Sequence, residues 1–154
     1  MSAAISPVLY LFSIAIGVAI NVFFCLALIK TLSLVKEENR KITPILVWLI
    51  LIPGFNVLWN FFVVIRMSQS IKNELDSREF EVEGNPTLYV GLSYAILSSI
   101  ILFVPTPKDL NYSVGMGVLA LAIIVAFVQY WMKIVWYGKV LRQDSDESEF
   151  QKQQ

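Results

Sequence analysis

The chain has 154 residues, 56% of them hydrophobic, a mean hydropathy of +0.65 and a formal net charge of zero from 12 basic and 12 acidic residues. That even balance argues against a nucleic-acid partner, which needs a basic surplus to engage phosphates. Histidine is absent, which removes the usual proton shuttle and the commonest metal and haem ligand. The single cysteine, Cys25, excludes an intramolecular disulfide.

The apolar residues come in four charge-free blocks, 8–29, 44–65, 87–104 and 112–132. Each is long enough, as a helix rising about 1.5 Å per residue, to cross a hydrocarbon layer about 30 Å thick. The pattern predicts an all-α fold, a transmembrane four-helix bundle with an amphipathic helical extension after the second helix. The bundle takes residues 1–137, and 138–154 reads as a disordered polar tail. The start of the sequence has no basic segment of the kind a signal peptide carries, so the first block is expected to remain as a membrane helix.

The first helix carries Ser13, Gly17, Asn21 and Cys25 at four-residue spacing, a face that lets another helix approach closely. The connection 30–43 holds Lys30, Lys36, Arg40 and Lys41 beside Glu37 and Glu38. Thr43 and Pro44 mark the next helix start, since Thr can cap and Pro suits the first helical position.

In the second helix Pro53 and Gly54 predict a mid-helix kink. Trp48, Ile52, Asn56 and Asn60 fall on one face. Met67, Ile71 and Leu75 then recur every four residues and predict the amphipathic extension. Glu74 and Arg78 make an i,i+4 pair on its polar side, worth about 0.3–0.5 kcal/mol if exposed. Phe80 and Val82 alternate with glutamates, which suggests a short extended stretch, and Gly84-Asn85-Pro86 signals a turn.

The third helix repeats the small-residue spacing at Gly91, Ala95 and Ser99. Pro105 and Pro107 end it, and so short a connection makes the third and fourth helices antiparallel neighbours. The fourth carries Ala122 and Ala126, with Gln129 and Lys133 close to the same stripe. Trp131 and Trp136, like Trp48, read as anchors at the membrane–water interface, and Lys133 as a side chain that snorkels towards it.

Asn21, Asn56, Asn60 and Gln129 are the polar residues expected at depth. Asn21 and Asn56 would differ in depth by about 6 Å in an antiparallel pair of helices. An unpaired amide in hydrocarbon is costly, so these side chains are expected to form an interhelical cluster. Ser98 and Ser99 have no base near their depth to activate them. No catalytic residue, cofactor or metal ligand is assigned. With four spans both termini share a side. The basic residues divide almost evenly between the two surfaces: the first helix taken alone favours an outside N-terminus, whereas the larger polar segments favour both termini in the cytoplasm.

The stretch Glu38-Asn39-Arg40, Pro44, Val47 to Pro53, Phe55-Asn56, Trp59 to Val64, Ser70-Ile71, Glu74 and Arg78 resembles a group of small four-helix bacterial inner-membrane proteins of no assigned activity. The resemblance covers 38–78 and implies a multi-pass protein of the bacterial inner membrane. The residues themselves point first to a non-enzymatic integral membrane protein that acts by association, as an accessory or scaffold subunit or a homo-oligomer. A small transporter or channel subunit, its path lined by the Asn and Gln side chains, is the alternative. A lipid-binding protein with the 66–78 helix on the headgroups is a third. The partners implied are the lipid bilayer and a second copy or another membrane protein.

Overall fold

The computed structural model describes residues 7–82, 84–103 and 110–152. Among them the chain is all helical, with four α-helices: α1 (Pro7–Ser33), α2 (Asn56–Ser77), α3 (Leu88–Phe103) and α4 (Leu110–Lys152). A 3-10 turn at Glu37–Asn39 and a 3-10 helix at Pro44–Leu51 lie between α1 and α2. The expected end of the third helix at Val104 and the prolines after it fall outside the described residues.

The second helix differs most from its sequence expectation. A kinked helix over 44–65 is replaced by a reversal of the chain. Pro53 has no N–H to donate and bars helical geometry at the residue before it, and Ile52 is accordingly extended at φ −79°, ψ 113°. Gly54 sits at φ +81°, a left-handed conformation open to a residue without Cβ. The 3-10 helix therefore runs in, the chain turns at 52–55, and α2 runs back beside it. The two arms are tied where the Trp59 indole donates to the Leu46 carbonyl at 2.8 Å. Backbone groups at the turn stay satisfied, with Ile52 N–H on Leu49 O at 3.2 Å and Asn56 N–H on Ile52 O at 3.0 Å. The Cys25 thiol donates to the Val47 carbonyl at 3.8 Å, which docks the inward arm on α1.

Helix directions follow from which residues meet. Phe24 packs on Phe127, Tyr130 and Trp131, with ring centroids 5.0–5.9 Å apart, and the Thr31 hydroxyl donates to the Ile134 carbonyl at 3.2 Å. Ascending α1 thus tracks ascending α4, and the two are parallel. Gly91 lies between Val64 and Tyr130, Ser68 donates to the Pro86 carbonyl, and Tyr94 meets Phe127. So α3 runs against α2 and α4. Pro7 and Lys152 lie at opposite ends of the bundle. The hairpin at 44–77 enters and leaves at one end of the bundle, so the chain reverses there and does not run the bundle's length.

The core joins Phe24, Leu28 and Leu32 of α1, Val47 and Ile50 of the inward arm, Val64, Met67 and Ile71 of α2, and Tyr130, Ile134 and Leu141 of α4. It fills the end of the bundle that contains the hairpin. At the other end α1 stands apart: no residue from Val8 to Phe23 is buried. Two helices, α1 and the 114–147 part of α4, are long and apolar enough to cross a membrane. Only 17% of the most apolar window of each is buried, unlike the core helix of a water-soluble domain.

The expected disordered tail from residue 138 is helix as far as Lys152. The tail is polar but rich in Gln, Glu, Lys and Arg, which are good helix formers, and α2 holds its first turns in place. The extended stretch after α2 is irregular loop instead. Glu79 at φ +62° ends α2, with Phe80 N–H on Leu75 O at 3.1 Å and Glu79 N–H on Asp76 O at 3.2 Å. That is a Schellman closure with Glu in the position usually taken by Gly.

Candidate functional site

The densest polar arrangement lies where α1 and α2 end beside the 141–145 turns of α4. Glu74 is fully enclosed. One carboxylate oxygen accepts from the Lys36 backbone N–H at 2.9 Å and the Asn39 side-chain amide at 2.8 Å. The other meets both Nε and Nη2 of Arg78 at 2.8 Å. Arg78 spends its remaining donors on α4 and on the turn that follows α1. Nη1 reaches the Leu141 carbonyl and the Asp144 carboxylate at 2.8 Å and the Ser145 hydroxyl at 3.0 Å. Nη2 reaches the Leu34 carbonyl at 3.2 Å.

Arg40 closes the end of α1 in a similar way. Its Nε donates to the carbonyls of Leu32 at 3.0 Å and Val35 at 2.8 Å, satisfying acceptors that a helix C-terminus leaves open. Ser70 accepts from the Lys41 N–H at 2.8 Å and donates to the Arg66 carbonyl at 2.7 Å. Burial alone would raise the Glu74 carboxyl. The hydrogen bonds from Asn39, Lys36 and Arg78 and the charge of Arg78 outweigh it and hold the group below its ordinary value. Glu74 and Arg78 together thus clamp the ends of α1 and α2 to the 141–145 turns of α4. The sequence offered Glu74 and Arg78 as an exposed pair. What it lacked was the hairpin that brings 36–40 to the same end.

The four amides expected to cluster are dispersed. Asn21 donates to the Gly17 carbonyl of its own helix at 2.9 Å. Asn56 is exposed at the hairpin turn and Gln129 is exposed on α4. Asn60 is buried. The reversal at Pro53 and Gly54 takes Asn56 out of the middle of a continuous helix.

The small residues divide into two sets. Gly91 and Ala95 of α3 and Ala126 of α4 line the inner contact. A Cβ on Gly91 would stand 2.5 Å from Val64 Cγ1 and 2.9 Å from Tyr130 Cε2. Ser99, half-buried, bonds back to the Ala95 carbonyl, and Ala122 is half-buried. By contrast Ser13 is exposed, and a Cβ on Gly17 would meet nothing within 4 Å. Trp48 and Trp131 are half-buried, whereas Trp136 and Lys133 are exposed. Two buried hydroxyls, of Thr87 and Tyr130, have no hydrogen-bond partner among the described residues. Among those residues no three His, Cys, Asp or Glu stand together as a metal site would need.

No family model matches the chain, and neither the curated proteins nor the solved structures contain a match to it.

Proposed function

We propose that this is a non-enzymatic integral membrane protein that crosses the bilayer three times, inserts the 44–77 hairpin from one face, and works by association with another membrane helix. Support for the membrane level comes from Lys30, Arg66 and Lys133, which stand at about one height in the bundle. From that height α1 and α4 each extend roughly 35 Å to their first residues at about 1.5 Å per residue, enough for a hydrocarbon layer about 30 Å thick. From Arg66 to Asn56 is roughly 15 Å, so the hairpin reaches about the midplane.

The charges support one orientation. Lys30, Lys36, Arg40, Lys41, Arg66, Lys72, Arg78, Lys133, Lys139 and Arg142 all belong to the clamped end, while the sequence joining α3 to α4 has only Lys108. The excess of Lys and Arg supports a clamped end in the cytoplasm of a bacterial inner membrane, with the start of α1 outside. On this reading the hairpin is not a span, and the even tally of the four-span arrangement becomes a one-sided one.

The observation that carries association is the contrast between two small-residue faces. Gly91 and Ala95 are used inside the chain to bring helices together. Ser13 and Gly17 form the same kind of face on the half of α1 where no described residue is buried. In lipid, small residues promote helix contact through close packing. A second copy or another membrane protein fits that face.

Two measurements test this reading. With Cys25→Ser as background, single cysteines at Glu38→Cys and Asp76→Cys should both be labelled from the cytoplasmic side, and labelling from opposite sides would remove the hairpin. Gly17→Leu should abolish a native-gel complex while leaving the monomer's melting temperature unchanged. A complex that survives Gly17→Leu removes the association.

A further inference from the structure

A groove of about 230 Å³ runs between α1 and α4 at the clamped end, lined by Lys30 and Thr31 on one side and Gly138, Lys139 and Arg142 on the other. Gly138 forms its floor. A Cβ there would come within 2.8 Å of Thr31 Oγ1, so the absence of a side chain lets the helices close beneath the groove. The Thr31 hydroxyl already donates to Ile134. What the groove presents is therefore its three cations. All three are exposed, and none makes an ion pair among the described residues. Asp144, two residues beyond Arg142, is held by Arg78, and Asp146 is exposed without an ion pair among the described residues.

A second groove, of about 430 Å³, shares Val135 and Lys139 with the first and descends α4 past Trp136 and Trp131 to Val128. From Lys139 to Val128 is roughly 16 Å along the helix. A cationic mouth thus opens onto an apolar track that follows α4. We propose that the paired grooves bind one anionic phospholipid of the cytoplasmic leaflet, its phosphate among Lys30, Lys139 and Arg142 and one acyl chain along Val135, Trp131 and Val128. The assignment rests on the membrane orientation proposed above. A headgroup with net negative charge is selected because the three cations make no ion pair among the described residues, whereas a zwitterionic headgroup would bring its own cation into the mouth. Soluble phosphate would leave the apolar track unfilled.

The test is native mass spectrometry of the full chain in mild detergent, titrated with phosphatidylglycerol, phosphatidylcholine or inorganic phosphate. One phosphatidylglycerol should be retained, phosphatidylcholine should bind roughly tenfold or more weakly, and phosphate should not displace the lipid. The triple variant Lys30→Ala/Lys139→Ala/Arg142→Ala should fall to the phosphatidylcholine level, and Lys36→Ala, outside the groove, should bind as the unaltered chain does. Lys139→Gln alone should show a smaller loss in the same direction, which keeps the reading available if the triple variant is unstable. Equal affinity for the two lipids, displacement by phosphate alone, or unchanged binding by both variants overturns the site. Failure of the membrane reading registers separately, as release of the chain by carbonate washing. A chain that resists washing yet shows no lipid preference overturns this site only.

Discussion

The carboxylate of Glu74 is sealed from solvent and meets the Arg78 guanidinium, one helical turn further along α2, at 2.8 Å. An exposed pair at this spacing would contribute only a few tenths of a kcal/mol. Enclosure changes what happens when it is broken, because the remaining charge has no water to turn to. Arg78→Ala should cost about 3–5 kcal/mol. It also removes the donors to Leu34, Leu141, Asp144 and Ser145, so α1, α2 and α4 should loosen together. Thermal unfolding in detergent should show one large shift in midpoint, and Arg78→Lys, with fewer donors, should recover only part of it. A shift as small as that of an exposed pair would mean that the clamp is open in solution.

The same carboxylate gives a pH dependence of defined sign. Its value in the folded chain is below the ordinary 4.5, so the unfolded chain binds the proton more readily. The stabilisation is fully present above about pH 4.5 and is lost progressively as the pH falls below it, through the lower folded value. Glu74→Gln should be less stable at neutral pH and should lose less stability between pH 5 and pH 3. Parallel melting curves for the two proteins over that range would show that Glu74 is not the responsible group.

Much of the helical content was legible because apolar blocks of sufficient length leave few alternatives. Residues 8–29, 87–104 and 112–132 each overlap one helix of the structure. The block 44–65 misled because hydropathy records composition and not direction. A helix that crosses and a hairpin that returns have the same residues, and only the pairing of Trp59 with Leu46 and of Lys41 with Ser70 separates them. Once the block was counted as a span, the polar residues on either side of it went to opposite surfaces. Asn39 and Glu74, in fact 2.8 Å apart, were thereby separated by a whole membrane. Pro53 and Gly54 were visible signals, but whether such a pair kinks or reverses a helix depends on what packs against both arms.

Gly91 should tolerate no side chain. Its added Cβ would strike Val64 Cγ1 and Tyr130 Cε2, both fixed in the core. Gly91→Ala should cost about 1–3 kcal/mol by overpacking. Gly117→Ala, where nothing stands within 4 Å, should be neutral or slightly stabilising because alanine is the better helix former. Equal melting midpoints for the two variants would argue that α3 does not pack against α2 and α4 as described.

Gly54 is constrained by its backbone and not by crowding. Nothing lies within 4 Å of a Cβ there, yet its φ of +81° is costly for a residue with one. Gly54→Ala should destabilise by about 1–2 kcal/mol. The combined Pro53→Ala/Gly54→Ala chain is freed to continue as a helix, and a cysteine at position 38 should then become accessible from the outside in a fraction of the molecules. Unchanged accessibility with unchanged stability would show that packing of the two arms, and not the turn, sets the reversal.

Tyr130 offers a substitution expected to help. Its ring is fully buried and packs against Phe24 and Tyr94, while its hydroxyl has no partner among the described residues. A buried donor left unpaired costs about 1–3 kcal/mol, and an apolar replacement of the same shape removes that cost and keeps the ring contacts. Tyr130→Phe should therefore be neutral or more stable by about 1 kcal/mol, whereas Tyr130→Ala, which empties the space between α1 and α3, should lose about 3–5 kcal/mol. If Tyr130→Phe instead destabilises, the hydroxyl is engaged in the membrane. Repeating the measurement with Thr87→Val, which removes the other unpaired hydroxyl, would then show whether the two serve each other: mutual partners give losses that do not add in the double variant.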